Sequence, residues 1–390
     1  MAKSIPALVT PDVLVWAREL DSITLDDVAA KMNITPQKIA EWENGTARPT
    51  LNQAKSLAKY YRVPFAYFYL PSIPRKTKRI ETKDYRTFGN VGNQFPISRE
   101  LRWFLRDIEE RRDAMLFLYN EDGNIPVKFP AKLATNVGED EIIFSVRNLL
   151  GLTPQKQRKF RRPEVALGYC INSLEQYDVL IFQAAKIDPQ EMRGVSLAYE
   201  HMPIIALNRK EEPGARLFTL CHELVHIVTR TSGICNENSA DVASQDSWEI
   251  VCNRIAGKIL VPDNELVNHP SVLVIKQQGF DDVYIAQLAR DFAVSKEVIL
   301  HRIWDLKMIS SSFYFETLNR YSEEYLLSKA KRPKDGFLPP TTDKGTQVGK
   351  LYARTILTAY YTDKISASDA SSYLLNLKVN NFSKLERWCF

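Results

Sequence analysis

Apolar positions in the first 72 residues recur at helical spacing and break at polar punctuation. Thr24 precedes Leu25, Val28, Ala29 and Met32, and Asn33 ends that run. Thr35 followed by Pro36 reads as an N-cap and first helical position, and the helix it opens turns Ile39 and Trp42 inward before stopping at Asn44-Gly45. Thr50 opens a further run through Leu51, Ala54, Leu57, Ala58 and Tyr61. Val63-Pro64 then begins a last helical turn, FAYFYL, closed by Pro71 and Pro74. Short helices at this spacing predict an all-helical module over residues 1–72.

Residues 75–98 read as a linker, basic in RKTKR and then rich in Gly and Asn in FGNVGNQFP. Long helical patterns follow from about Ser98 to Tyr119 and from Glu139 to Leu150. The run KQRKFRR (156–162) is either an exposed basic connector or a phosphate contact. From Pro163 the pattern changes. A helix over 164–176 precedes three β-like runs, VLIFQA (179–184), GVSLAYE (194–200) and MPIIALNR (202–209). Two helices come next, ARLFTLCHELVHIVTR and, after a polar loop, SWEIVCNRIAGKIL. Residues 281–309 form a helix pair that mimics a helix-turn-helix; its apolar positions (Ile285, Leu288, Ala289, Phe292, Val298, Ile299, Ile303) favour plain packing. Further helical patterns over 349–390 lie behind the linker GFLPPTTDKGT. The expected fold class is α+β: the helical module 1–72, a linker and helical connector 73–163, a small sheet with helices over 164–310, and a C-terminal helical region 311–390.

Composition removes several alternatives. The chain has 390 residues, 45% apolar and 25% charged, which excludes wholesale disorder. No stretch approaches ~18 uninterrupted apolar residues, so no membrane partner is expected. Asp12, Arg18 and Glu19 arrive too early for a signal-peptide core. Five cysteines with no CxxC pair argue against a disulfide framework and for a reducing, cytoplasmic setting. A net charge of +5 is too thin to imply nucleic-acid binding by itself.

The chemistry sits in His222-Glu223-Leu224-Val225-His226. On a helix, positions i and i+4 are offset by only ~40° around the axis, so both imidazoles leave one face one turn apart. Two nitrogens so placed can reach one Zn²⁺, and Glu223 beside them can take a proton from water. A catalytic zinc needs a third protein ligand and an open position. The extended HExxHxxGxxH pattern would put Gly at 229 and His at 232, where the chain has Thr229 and Ser232. Glu249 on the next helix is the best candidate, against the reading that it is a first-turn carboxylate behind an Asp246 or Ser247 cap. His269, Asp241 and Glu237 are weaker competitors. Asn253, one turn beyond Glu249, could accept an N–H from a liganding histidine.

RLFTLCHELVH followed by EIVCNRIAGKILVP resembles the ImmA/IrrE metallopeptidases, whose pattern is R-x-x-F-T-L-A-H-E-x-x-H and then E-x-x-A-N-x-F-A-x-x-L-L-x-P. The resemblance implies a zincin-like domain in which His222, His226 and Glu249 hold Zn²⁺ and Glu223 is catalytic. It also implies that the strand MPIIALNR before the active-site helix is a rail for an extended peptide. Cys221 and Cys252 stand where alanine is usual. Buried packing is the expectation for both, though a thiol beside the metal would make the site redox-sensitive.

The segment 24–64 resembles a Cro/C1-type (XRE) helix-turn-helix, which that peptidase family often carries in front. The resemblance places Thr35, Gln37 and Lys38 towards base edges or phosphates, while Glu41 and Glu43 oppose phosphate approach. DNA contact and protein docking both stay open at this stage. The expected activity is zinc-dependent cleavage of a regulatory protein, a repressor or antitoxin encoded nearby, with operator DNA and a second copy of the chain as further partners. Two rivals remain: a transcription regulator with a sensory or structural zinc, and the toxin half of a toxin–antitoxin pair.

Overall fold

The computed structural model describes residues 5–74, 98–133, 137–230, 242–331 and 338–390. They cluster into two compact units, one formed by residues 5–74 and 98–106, the other by residues 107–133, 137–230, 242–331 and 338–390. The sequence's basic linker RKTKR lies outside the described residues.

The first unit holds α1 (Pro11–Glu19), α2 (Leu25–Met32), α3 (Pro36–Glu43) and α4 (Leu51–Tyr61), then a 3-10 turn at Phe65–Tyr69. The caps fall where the punctuation predicts. The Thr24 and Thr50 hydroxyls each accept the N3 backbone N–H while the N3 side chain, Asp27 or Gln53, accepts in return from the cap backbone. Thr35 caps α3 by accepting from Lys38 N. Asn33 takes the left-handed conformation (φ 54°) that turns α2 into α3. Val13, Leu14, Ala17, Val28, Ile39, Trp42, Leu57, Tyr61 and Phe68 form its core.

In the second unit, α5 (Arg99–Glu121, of which residues from Asp107 belong here), α6 (Glu139–Leu149), α7 (Pro154–Phe160) and α8 (Pro163–Glu175) lead to β1 (Leu180–Ala184), β2 (Gly194–Leu197) and β3 (Ile204–Asn208). The run KQRKFRR coincides with α7 and its end. Gln157 donates to Leu260 O and Phe292 O, Arg158 pairs with Glu265 at 3.0 Å, and Arg161 with Asp291 at 2.7 Å. Arg158 and Arg161 are thus paired with carboxylates of the protein itself.

The sheet order is β1-β3-β2, with β1 parallel and β2 antiparallel to β3. The strand expected to serve as a peptide rail is therefore the central one. β3 spends its backbone groups on both neighbours, and the open edge next to the helix-bearing face belongs to β2. Every residue of β1 and β3 is buried, because both faces are covered. One face, with Ile181, Ile205 and Leu207, packs under α9 (Pro213–Thr229). On the other, Phe182 meets Tyr352 edge-on at 5.9 Å.

After α9 come α10 (Val242–Leu260), α11 (Asp263–Val267), α12 (Pro270–Gln278), α13 (Asp282–Phe292), α14 (Lys296–Asp305) and α15 (Ser311–Lys331). The pair α13–α14 packs as its apolar faces imply: Ile285, Leu288, Phe292, Ile299 and Ile303 join the main core. Buried Arg302 donates to Val261 O and pairs with Asp305. The chain closes with α16 (Pro340–Val348), α17 (Lys350–Tyr361), α18 (Ala367–Tyr373) and α19 (Phe382–Cys389). These helices belong to the same compact unit as the sheet. Glu175 accepts from Leu351 N at the start of α17, and Arg209 beyond β3 pairs with Asp343 of α16 at 2.7 Å. No described helix is long and apolar enough to cross a membrane.

Candidate metal centre

α9 begins with Pro213 at its first position and ends at Arg230 in the left-handed conformation. Leu217, Leu220, Leu224, Ile227 and Val228 drive it into the core, and the same burial encloses His222 (1% exposed), Glu223 and His226. α10 lies against α9 through Cys252, Ile255, Ala256 and Ile259. One turn before Cys252 it presents Glu249. The helix starts at Val242, so Glu249 lies two turns inside it, and the reading of Glu249 as a first-turn carboxylate behind Asp246 or Ser247 fails.

The three donors converge. Glu249 Oε2 is 3.1 Å from His222 Nε2, Glu249 Oε1 is 3.4 Å from His226 Nε2, and the two Nε2 atoms are 3.0 Å apart. Among the described residues this is the one trio of such side chains whose ligand atoms fall within 4.8 Å of one another. An ion bonded tetrahedrally at ~2.0–2.2 Å holds its ligand atoms about 3.4 Å apart, so the donor set fits Zn²⁺ in both type and span. The histidines are sealed behind the helix, while the Glu249 side chain keeps 34% of its surface. The centre therefore opens to solvent on one side.

Charge follows the geometry. Burial opposes a charge on His226, but its hydrogen bonds with Cys252 and Glu249 and the nearby Glu223 hold its pKa well above the ordinary value. Burial likewise opposes the Glu249 charge, and the two imidazoles overcome it, keeping the carboxyl far below its usual range. A divalent cation bound there would compete with a proton for the same donors.

Glu223 is 4% exposed and its Oε2 accepts from Ser196 Oγ at 2.7 Å. β2 comes this close to α9 because Gly194 has no side chain. A Cβ there would fall inside contact distance of Thr219 Cγ2 and 2.9 Å from Glu223 Oε1. Gly194→Ala is therefore expected to push strand and helix apart and to lower stability by about 1–3 kcal/mol, read as a fall in Tm. An unchanged Tm would mean that the strand does not constrain the helix.

The other sequence candidates separate cleanly. Asn253 is half-buried on α10, but no hydrogen bond joins it to either imidazole among the described residues; the neighbour of His226 is Cys252. Burial raises the Cys252 thiol pKa, against the pull of His226. Cys221 is fully buried in the core, with its thiol pushed well up by burial. His269 is elsewhere, accepting from Ser271 N at the start of α12 and facing Asp291 at 3.4 Å. Glu237 and Asp241 lie outside the described residues. Ser196 and Gly194 escaped the sequence reading; their signal is two small residues at alternate positions of an apolar strand, which share one face.

In the first unit, Thr35, Gln37 and Lys38 are all exposed at the start of α3. The acidic groups on that helix prove less obstructive than their sequence suggests. Glu43, 8% exposed, is neutralised by Arg18 at 2.7 Å, and Glu41 pairs with Lys38 at 2.7 Å.

Comparison with known families agrees with both units. Residues 175–303 match the IrrE N-terminal-like peptidase domain, and residues 14–68 match the helix-turn-helix family. No curated protein matches the chain. The chain thus has the layout of an XRE-type helix-turn-helix module set ahead of an ImmA/IrrE-type metallopeptidase domain.

Proposed function

We propose that the chain is a cytoplasmic zinc endopeptidase that cuts a regulatory protein, with the helix-turn-helix unit directing it to its target. The observation that carries this reading is the meeting of His222, His226 and Glu249 from two helices, with the buried Glu223 carboxylate near enough to His226 to raise its pKa. His222, His226 and Glu249 would hold the ion, which would supply Lewis acidity to water and a substrate carbonyl. Glu223 takes the proton of the attacking water and returns it to the leaving amine. An extended peptide adds to the open edge of β2 beside that carboxylate. Backbone pairing of this kind discriminates poorly between extended chains, so selectivity has to come from another part of the molecule. The helix-turn-helix unit supplies it by docking on the operator that the substrate occupies, or on a similar module in the substrate. The substrate is accordingly a repressor-like or antitoxin-like protein with a helix-turn-helix of its own, cut in an exposed linker. Removal of residues 1–72 is expected to slow cleavage of that partner while the zinc content stays unchanged; equal rates would refute the directing role.

Gel shifts over the chain's own promoter test the DNA contact. The complex should weaken steeply with salt, and Lys38→Ala should reduce the salt slope by about one. Gln37→Ala should cost about 1–3 kcal/mol. Glu41→Ala should tighten binding, since it frees Lys38 from its ion pair. Absence of a salt-dependent complex would leave protein docking as the unit's role.

A further inference from the structure

The register of β2 gives one residue two jobs. Asn208 N donates to Arg193 O, and the strands then pair Val195 with Ala206 and Leu197 with Ile204. In an antiparallel ladder the hydrogen-bonded pairs alternate with pairs whose N–H and C=O face away. Residues 193, 195 and 197 therefore spend their backbone groups on β3. Gly194 and Ser196 turn theirs to the outer edge, which no described strand occupies. Their side-chain positions share the opposite constraint: both sit on the α9 face, where the Ser196 hydroxyl donates to Glu223 Oε2 at 2.7 Å. Ser196 is 7% exposed, so its hydroxyl has exchanged water for the carboxylate. The other oxygen, Oε1, lies over the bare Cα of Gly194.

We propose that Ser196 is a positioning residue that joins substrate docking to the general base: its backbone pairs with the peptide while its hydroxyl fixes the Glu223 carboxylate. The proposal rests on the endopeptidase reading above. A carboxylate at the end of two methylenes samples several rotamers, and a proton acceptor works only from the one that meets the attacking water. The hydroxyl holds one oxygen and leaves the other for the proton. A peptide that pairs with Ser196 also firms the strand carrying that hydroxyl, so docking and base alignment reinforce each other.

The test compares Ser196→Ala, Ser196→Val and Ser196→Thr in the full-length, zinc-loaded protein, with β-casein as an unstructured substrate. Val and Thr share a shape and differ in the hydroxyl. Ser196→Val and Ser196→Ala should lower kcat about 10–100-fold, as loss of a hydrogen bond to a charged group implies. KM should change by less and zinc content not at all. Ser196→Thr should restore kcat to within a few-fold. Crystal structures should show Glu223 turned from its rotamer in Val and held in Thr. If Val keeps wild-type kcat, if Val and Thr are equally impaired, or if the Glu223 rotamer is unmoved in Val, the proposal is overturned. Failure of the endopeptidase reading has a separate signature: wild type and Glu223→Gln would then act alike on casein, and the rotamer comparison would still judge Ser196.

Discussion

Glu249→Ala is expected to strip the protein of its zinc, while Asn253→Ala leaves it in place. Two imidazoles on one helix would hold a divalent ion weakly; the carboxylate that meets them from the second helix would complete the set and close it across the helix pair. Loss of a group that merely supports a ligand typically costs 10–100-fold in metal affinity, so loss of the ligand should exceed about 100-fold. Cys252→Ala falls in the supporting class, because the thiol is hydrogen-bonded to His226. Metal analysis after dialysis against a weak chelator orders the three variants: Glu249→Ala near zero, Cys252→Ala intermediate, Asn253→Ala near one zinc per chain. Equal zinc in Glu249→Ala and Asn253→Ala would remove Glu249 from the site.

Glu223→Gln should do the reverse, keeping zinc and losing hydrolysis. The amide preserves the volume of the carboxylate and can still accept from Ser196 Oγ, so the strand and helix stay together. It cannot accept the proton of the attacking water. General-base assistance is worth about 10²–10⁴-fold, and kcat should fall by that amount with zinc content near that of wild type. A variant that loses zinc along with activity would place Glu223 in the metal's support instead.

The sequence was most legible where local rules act alone. Thr24, Thr35 and Thr50 cap the helices they announce, since a cap is decided within four residues. The spacing of His222 and His226 needs only a helix to place both nitrogens together. Glu249 was reachable because a helix packed on α9 has to return to it. Features set by long-range packing were hidden. β1 and β3 are covered on both faces, so neither alternates, and nothing in the pattern says that β3 is central and β2 the edge. The true start of α10 at Val242 lies in a polar stretch that reads as loop. Glu43 looked like a free charge, but its partner Arg18 sits on a different helix. Cys252 looked like filler and is the histidine's neighbour, a role the sequence spacing had offered to Asn253 one residue away.

The most direct test of the account is the oxygen isotope in a cut partner. A helix-turn-helix regulator of the proposed substrate class is incubated with zinc-loaded wild type or Glu223→Gln in H₂¹⁸O, and its fragments are read by mass spectrometry. One internal cut is expected, made by wild type only, with ¹⁸O in the new carboxylate of the N-terminal fragment. Fragments that appear equally with Glu223→Gln, or no fragments from wild type at full zinc occupancy, would contradict it.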